Sequence, residues 1–230
     1  MKGKDLIFIA CVLLFFAPFF LIKPVYELYN SFNQEHGMII SFIKFAILAT
    51  LGESIGLRIR TKQYNYKGFG LLPRALVWGL LGLYIKISFV VYAKGMPACV
   101  EYLGIENAIN AFYTDAITFK KVLVAFSISA GLNLMFAPIF MVLHKVTDSH
   151  IVENGGTLKG FLRPINFSKH LQEINWKVQW NFVFKRTLIL FWIPAHTGTF
   201  LLSPDYRILA AALLSIILGI IMAIASNMQK

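Results

Sequence analysis

Six stretches of the chain, each about 17–23 residues long, are apolar enough to cross a bilayer as α-helices. They occupy residues 6–22, 37–57, 71–92, 121–143, 181–202 and 208–226. At a rise of about 1.5 Å per residue, each is long enough for a hydrocarbon core of roughly 30 Å. The alternation with a period of two that is typical of a transmembrane β-barrel is absent. The pattern predicts an all-α, polytopic integral membrane protein with a single helical domain.

The polar segments between these spans differ in charge. The loop between spans two and three contains four basic residues and no acidic residue. The basic residues are Arg58, Arg60, Lys62 and Lys67. The segment between spans four and five is also rich in lysine and arginine, and both ends of the chain carry lysines. In the loops between spans one and two and between spans three and four, acidic residues offset the basic ones. Because basic loops tend to stay on the inner side of a membrane, six spans place both termini inside. Without the weak first span, five would remain and the N-terminus would lie outside.

Composition supports this class and narrows the partners. Hydrophobic residues make up 57% of the 230 residues and charged residues 14%, against roughly 25% charged residues in a soluble domain. The net charge of +11 comes from particular loops and not from one basic stripe, so we expect no nucleic-acid partner. The expected partners are the bilayer itself and anionic lipids at the basic inner loops, and a homo-oligomer is left open.

Candidate chemistry is limited to charged groups inside the predicted spans. No nucleophile–base pair, carboxylate dyad or metal-ligand cluster stands out, and the two cysteines form no C-x-x-C. We therefore expect no enzymatic activity, no cofactor and no bound metal. Ionisable groups within a bilayer are costly and usually face the bundle interior or a water-filled cavity. The candidates for a polar path are Lys44, Glu53, Arg74, Lys86, Arg186 and His196.

The depth of these residues predicts how they pair. Glu53 and Arg74 lie near the inner ends of spans two and three, which predicts an ion pair that fixes helix register or forms a gate or substrate contact. Lys44 and Lys86 lie nearer the outer side, where the spans offer no acid. They either extend outward to the interface or line a watery path that favours anions. For His196, in mid-membrane, a bond to a neighbouring carbonyl is favoured over a metal.

The last third of the chain resembles the C-terminal signature of the Mpv-seventeen family. That signature is approximately W-P-x-x-Q-x-x-N-F-x-x-V-P, followed by an arginine. Its aromatic, proline and arginine positions correspond to Trp192, Phe200, Pro204 and Arg207. Its polar positions differ, because His196 stands for the glutamine and Thr199 for the asparagine. Upstream, Gly52-Glu53 is similar to the family's Gly-Asp, and Arg74 with Gly79 and Gly82 resembles its R…G…G-P helix.

The resemblance implies a small multi-pass protein of organelle membranes with channel-like activity and architectural roles for the four signature residues. The family has four spans, so at least the first span here is an addition. On this basis we expect a channel or transport-related protein for small solutes. The alternative is a non-transporting scaffold or assembly factor that binds anionic lipid or a partner protein. Because no organelle presequence is recognised, we expect a bacterial inner membrane, with an organelle membrane as the alternative.

Overall fold

In the computed structural model, the chain is described over residues 3–114 and 116–228, with side chains described as far as residue 221. Every regular element in these ranges is a helix, and they contain no strand. The chain divides into two compact units, residues 1–40 and residues 41–230. The prediction of an all-α protein is confirmed.

The first unit contains two helices and the start of a third. Helix α1 spans Gly3–Leu21 and α2 spans Lys23–Glu35, while α3 begins at Gly37 and continues to Thr61. None of the described side chains of α1 is buried, although the helix is apolar from Leu6 to its end. An apolar helix without a buried face fits a span that contacts lipid.

The second unit contains the remaining helices, including two π-helical segments, π1 and π2. The first half of this unit comprises α4 Leu71–Tyr102, α5 Ala108–Tyr113, α6 Phe119–Gly131, π1 Leu132–Phe136 and α7 Ala137–Glu153. The second half comprises α8 Leu158–Phe161, α9 Phe167–Glu173, α10 Trp176–Val178, π2 Gln179–Trp192, α11 Ile193–Leu201 and α12 Pro204–Met228.

Five helical segments in the described part of the chain are long and apolar enough to cross a membrane. They are Gly3–Leu21, Gly37–Thr61, Leu71–Tyr102, Phe119–Glu153 and Pro204–Ile221. The multi-pass character is therefore confirmed, and the inner position of both termini stays a prediction. Two of these segments contain 32 and 35 residues, against about 20 for one crossing. The helices that contain predicted spans three and four continue past residues 92 and 143, to residues 102 and 153, through polar residues that follow the apolar stretch.

The predicted fifth span, residues 181–202, is not one long α-helix. It begins within the 14-residue π2 and ends with the nine-residue α11. Neither element alone has the length of a membrane span, so five helices meet that criterion among the described residues where six were expected. The π-helix has i→i+5 hydrogen bonds and a wider turn than an α-helix. Hydropathy does not distinguish the two, although the pitch decides which side chains share a face.

Close contacts of glycines bring α3 against α4 and α12. A Cβ placed on Gly82 would lie 2.7 Å from the Cβ of Phe45, a residue only 1% exposed. On α12, a Cβ placed on Gly219 would lie 2.7 Å from the carbonyl oxygen of Gly52. Small residues at such positions allow helix backbones to approach closely in a membrane.

Helices α4 and α7 are joined by a separate apolar cluster. Val77 and Leu81 of α4 pack with Ile151 of α7, and Trp78 and Phe140 lie against this cluster. This packing places the start of α4 beside the C-terminal half of α7. The charged side chains of those two segments are therefore brought together.

We predict that Gly82→Ala lowers the stability of the helical bundle by about 1–3 kcal/mol, because the new methyl group overlaps the Cβ of the buried Phe45. The midpoint of thermal unfolding in detergent, followed by circular dichroism, measures the effect. Gly95→Ala is the matched control on α4, since Gly95 is exposed and no atom lies within 4 Å of the place that its new methyl group would take. An unfolding midpoint equal in the two variants would contradict the close packing of α3 and α4.

Candidate functional site

Glu53 of α3 and Arg74 of α4 form the predicted ion pair. Arg74 Nη1 donates to Glu53 Oε2 at 2.5 Å. Arg74 also donates from Nε to the carbonyl oxygen of Phe69 at 2.8 Å, and its guanidinium lies 4.4 Å from the centre of the Phe69 ring. Gly70 adopts a left-handed conformation with φ 76° between these two residues, which glycine tolerates without steric cost. The chain reversal before α4 therefore helps to orient Arg74.

Helix α7 adds Asp148 and His144 to this pair. Arg74 Nη1 donates to Asp148 Oδ1 at 2.5 Å, and His144 Nε2 lies 3.1 Å from Glu53 Oε1. The hydropathy pattern places both α7 residues in the loop after span four, so the sequence reasoning missed them. Their spacing of four residues puts them on one face of a helix. That spacing directly after an apolar span was the signal that could have identified them.

Trp78 connects this cluster with the interior of the bundle. Its Nε1 donates to Glu53 Oε1 at 2.8 Å, and its ring centre lies 4.4 Å from that of His144. Trp78 is one turn along α4 from Arg74, so one face of the helix presents both donors to Glu53. We call Glu53, Arg74, Trp78, His144 and Asp148 the charged cluster.

The charged cluster has the geometry of an ion-pair network. Glu53, His144 and Asp148 offer ligand atoms within 4.8 Å of one another, a grouping that could hold a metal ion. However, Arg74 Nη1 lies 2.5 Å from an oxygen of each carboxylate. The guanidinium therefore occupies the position between the carboxylates that a metal ion would take. The side chains of these four residues are only 8–22% exposed. Their charges are therefore compensated mainly by one another.

A cavity of about 60 Å³ lies next to the charged cluster, between α3, α4, π1, α7, α12 and the junction of π2 with α11. Its wall is mostly apolar and includes six large aromatic residues: Phe45, Trp78, Phe89, Phe136, Phe140 and Trp192. Its polar lining residues include Asn133, His196 and Ser215. None of the described residues that line it is a lysine, arginine, aspartate or glutamate. Trp78 belongs both to this wall and to the charged cluster.

His196 is bonded to a side chain and not to the backbone carbonyl expected from the sequence. Its Nδ1 lies 3.1 Å from Asn133 Nδ2, which also donates to the carbonyl oxygen of Ser129 at 2.8 Å. The Ser129 hydroxyl donates to the carbonyl oxygen of Ile193 at 2.7 Å. The π1 segment carries Asn133, and such π turns are frequent at functional sites. The position of this amide could not be read from the hydropathy of the span.

Lys44 and Lys86 lie away from the charged cluster. Lys44 is only 6% exposed, so its side chain packs within the bundle. Lys86 of α4 and Asp205 at the start of α12 are near enough to influence the charge of Lys44. Asp205 lies before predicted span six, so it is not an acid within the predicted spans. Lys44 is about 13 Å from Glu53 along α3. Neither lysine lines the cavity, and Arg186 lies exposed on π2, also outside the cavity wall.

The four residues that match the family signature lie at ring contacts or at a helix start. Trp192 packs against the His196 ring at a centre distance of 4.8 Å. Phe200 is fully buried, and the guanidinium of Arg207 lies 5.8 Å from its ring centre. Pro204 is the first residue of α12, a position that suits its fixed φ. The architectural roles that the resemblance implies for these residues stay a prediction.

The fold and the site define a multi-pass helical membrane protein with an internal charged cluster next to an aromatic cavity. Comparison with known proteins gives no match, whether to a family model, a curated protein or a solved structure. The relation to the Mpv-seventeen family therefore stays a hypothesis that rests on the residues of the last third of the chain.

We predict that Arg74→Gln lowers the stability of the protein by about 3–5 kcal/mol, because it leaves two largely buried carboxylates without their cation. Chemical or thermal unfolding in detergent measures this change. Arg186→Gln is the control, since it removes the same charge from an exposed position. Equal stability of the two variants would show that the charged cluster does not hold the bundle together.

Proposed function

We propose that the protein is a channel or transport-related membrane protein for small solutes, of the Mpv-seventeen type, with the aromatic cavity as part of the solute path. One observation carries this proposal: Trp78 both lines the cavity and donates to Glu53 within the charged cluster. A movement of the cluster would therefore change the cavity wall. The proposal includes no enzymatic activity.

The charged cluster acts as the closure at one end of the cavity. Its side chains come from α3, α4 and α7, so the ion pairs connect three helices at one level. Charged hydrogen bonds in a site with little water are strong but depend on every partner being present. Such a contact has two discrete states, formed and broken, which is the property required of a gate.

Lys44 and Lys86 influence the solute path from a different level. Asp205 compensates only part of their combined charge, so the region between α3, α4 and α12 carries a net positive charge. A positive region next to a path favours anions and disfavours cations. The lysines therefore set a charge preference, while the charged cluster controls opening.

We predict that Asp148→Asn increases solute flux, because the amide removes one of the two charges that hold Arg74. A charged hydrogen bond contributes about 1.5–3 kcal/mol, so the open population and the flux rise by about tenfold or more. Swelling of proteoliposomes in small neutral solutes measures the flux.

The matched control for this flux experiment is Glu153→Gln. Glu153 is also an acid of α7, but it pairs with Lys169 at an exposed position. We expect flux through this variant to equal that of the unmodified protein. If neither the unmodified protein nor the Asp148→Asn variant passes solutes while both are folded, the proposed function is wrong.

We predict that Lys44→Ala weakens the preference for anions, because it removes a buried positive charge beside the path. In planar bilayers under a KCl gradient, the reversal potential should move toward the equilibrium potential of K⁺. Lys94→Ala is the control, since Lys94 is an exposed lysine of α4. An unchanged reversal potential in Lys44→Ala would exclude this role of the lysine.

A second candidate function, a non-transporting scaffold on anionic lipid, is supported by one surface. Trp176 and Trp180 are 47% and 56% exposed, and the Lys185 ammonium lies 5.8 Å from the centre of the Trp180 ring. Exposed tryptophans beside cations are typical of membrane interfaces. We propose that this surface binds anionic lipid headgroups in either case. The flux measurement distinguishes the two functions.

A further inference from the structure

The four charged side chains of the charged cluster alternate in sign. Arg74 Nη1 lies 2.5 Å from Glu53 Oε2 and 2.5 Å from Asp148 Oδ1. His144 Nε2 lies near the same two carboxylates, 3.1 Å from Glu53 Oε1 and 3.8 Å from Asp148 Oδ1. When the imidazole is protonated, each carboxylate therefore has two cations beside it and the cluster has a net charge of zero. A balanced set of charges is the arrangement that a site with little water tolerates.

The two carboxylates differ in the number of donors that hold them. Glu53 accepts hydrogen bonds from Arg74 and Trp78 and lies at hydrogen-bond distance from His144. Asp148 accepts one, from Arg74, in the part of the chain that the structure describes. Because a proton on a carboxylate weakens the hydrogen bonds that it accepts, a proton on Asp148 disrupts fewer contacts than one on Glu53. The Asp148 side chain is 22% exposed, so a proton from water can reach it.

The charge around Asp148 is set mainly by the cluster itself. The charged groups near enough to influence Asp148 are those of Glu53, Arg74 and His144, together with Lys145, which is exposed. At the end of α7, Glu153 pairs instead with Lys169 of α9 and lies 3.3 Å from His170. The charged residues of α8 and π2, which also pack near α7, are exposed: Lys159, Lys185 and Arg186. Residues 208–221 of α12 carry no charge.

A proton on Asp148 leaves the charged cluster with an excess positive charge. Arg74 Nη1 and His144 Nε2 both lie within 3.8 Å of Asp148 Oδ1, so two cations then face a neutral carboxyl group. One monovalent anion at this position returns the net charge to zero. Because uncompensated charge is costly where water is scarce, the proton favours the anion. By linkage the anion favours the proton to the same extent.

We propose that the charged cluster binds one monovalent anion together with one proton, with the anion at Arg74 and His144 and the proton on Asp148. The proton comes from bulk water, and the only covalent change is the new O–H bond of the carboxyl group. The neutral carboxyl group turns away from Arg74, which breaks the contact between α4 and α7. The inference rests on the proposed function, because it names the event that opens the gate, and it agrees with a path that favours anions.

Chloride binding to the purified full chain in detergent tests this site. Isothermal titration calorimetry measures the affinity for chloride at several pH values between about 5 and 8, with sodium gluconate holding the ionic strength constant. We expect the affinity to rise by up to about tenfold for each unit of pH that is lowered while Asp148 titrates, because one proton is bound with each anion. Gluconate, which is much larger than chloride, should give no pH-dependent binding.

Asp148→Asn identifies the group that binds the proton. The amide resembles the neutral carboxyl group in shape and charge, so we expect chloride to bind this variant at every pH with the affinity that the unmodified protein shows at low pH. Glu153→Gln is the matched control on α7, and it should keep the pH dependence of the unmodified protein. Circular dichroism shows whether each variant is folded.

Proton uptake is a second measurement that needs no variant. In weakly buffered solution near the pH at which the chloride affinity changes most, adding chloride should make the unmodified protein take up protons, to a limit of about one per chain. A pH electrode records this uptake, and sodium gluconate is the blank. Where Asp148→Asn is folded, it should bind chloride without taking up protons.

Three outcomes overturn the proposal. The first is that chloride does not bind to the folded protein at low pH. The second is that chloride binds with an affinity independent of pH and without proton uptake. The third is that the pH dependence persists in Asp148→Asn, which would show that the proton is bound by another group.

These measurements are independent of flux. If chloride and protons bind together as expected but no solute crosses proteoliposomes, the binding site is retained and the transport function is wrong. If solutes cross while chloride binding shows no dependence on pH, the transport function is retained and the coupled binding of proton and anion is wrong.

Discussion

One guanidinium lies between two carboxylates that belong to different helices, and this contact determines how the central helices are arranged. Arg74 Nη1 is 2.5 Å from oxygens of both Glu53 and Asp148. Removing charges from water is expensive and is compensated only when the partners are correctly placed. The ion pairs therefore require α3, α4 and α7 to meet at one rotation and one level. The apolar packing of α4 against α7 brings these side chains together, and the ion pairs make the arrangement specific.

Aromatic side chains extend this arrangement into the bundle. Trp78 connects Glu53 with the cavity, and the stacked rings of Trp192 and His196 also line it. A tryptophan suits such positions because it offers a large apolar surface and a single N–H donor. In Trp78 the donor is satisfied by Glu53, whereas in Trp192 it has no partner among the described residues.

Reasoning from the sequence found the spans and one of the ion pairs, but not the complete cluster. Glu53 and Arg74 could be paired because their depths follow from their distances to the span ends. His144 and Asp148 were missed because the helix of span four continues past its apolar stretch. The fifth span was assigned one regular helix, whereas its first part is a π-helix. In each case a hydrophobicity pattern located the segment but did not report how far or with what pitch the helix continues.

The sequence by itself determined that this is a helical, multi-pass membrane protein, because the cost of placing unpaired backbone groups and charges in hydrocarbon is local to each segment. The tertiary structure alone decided which polar side chains meet. Asp148 lies far along the chain from Arg74, and Asn133 far from His196, yet each contacts its partner. These meetings depend on the rotation and close approach of whole helices, which arise from packing between segments distant in sequence.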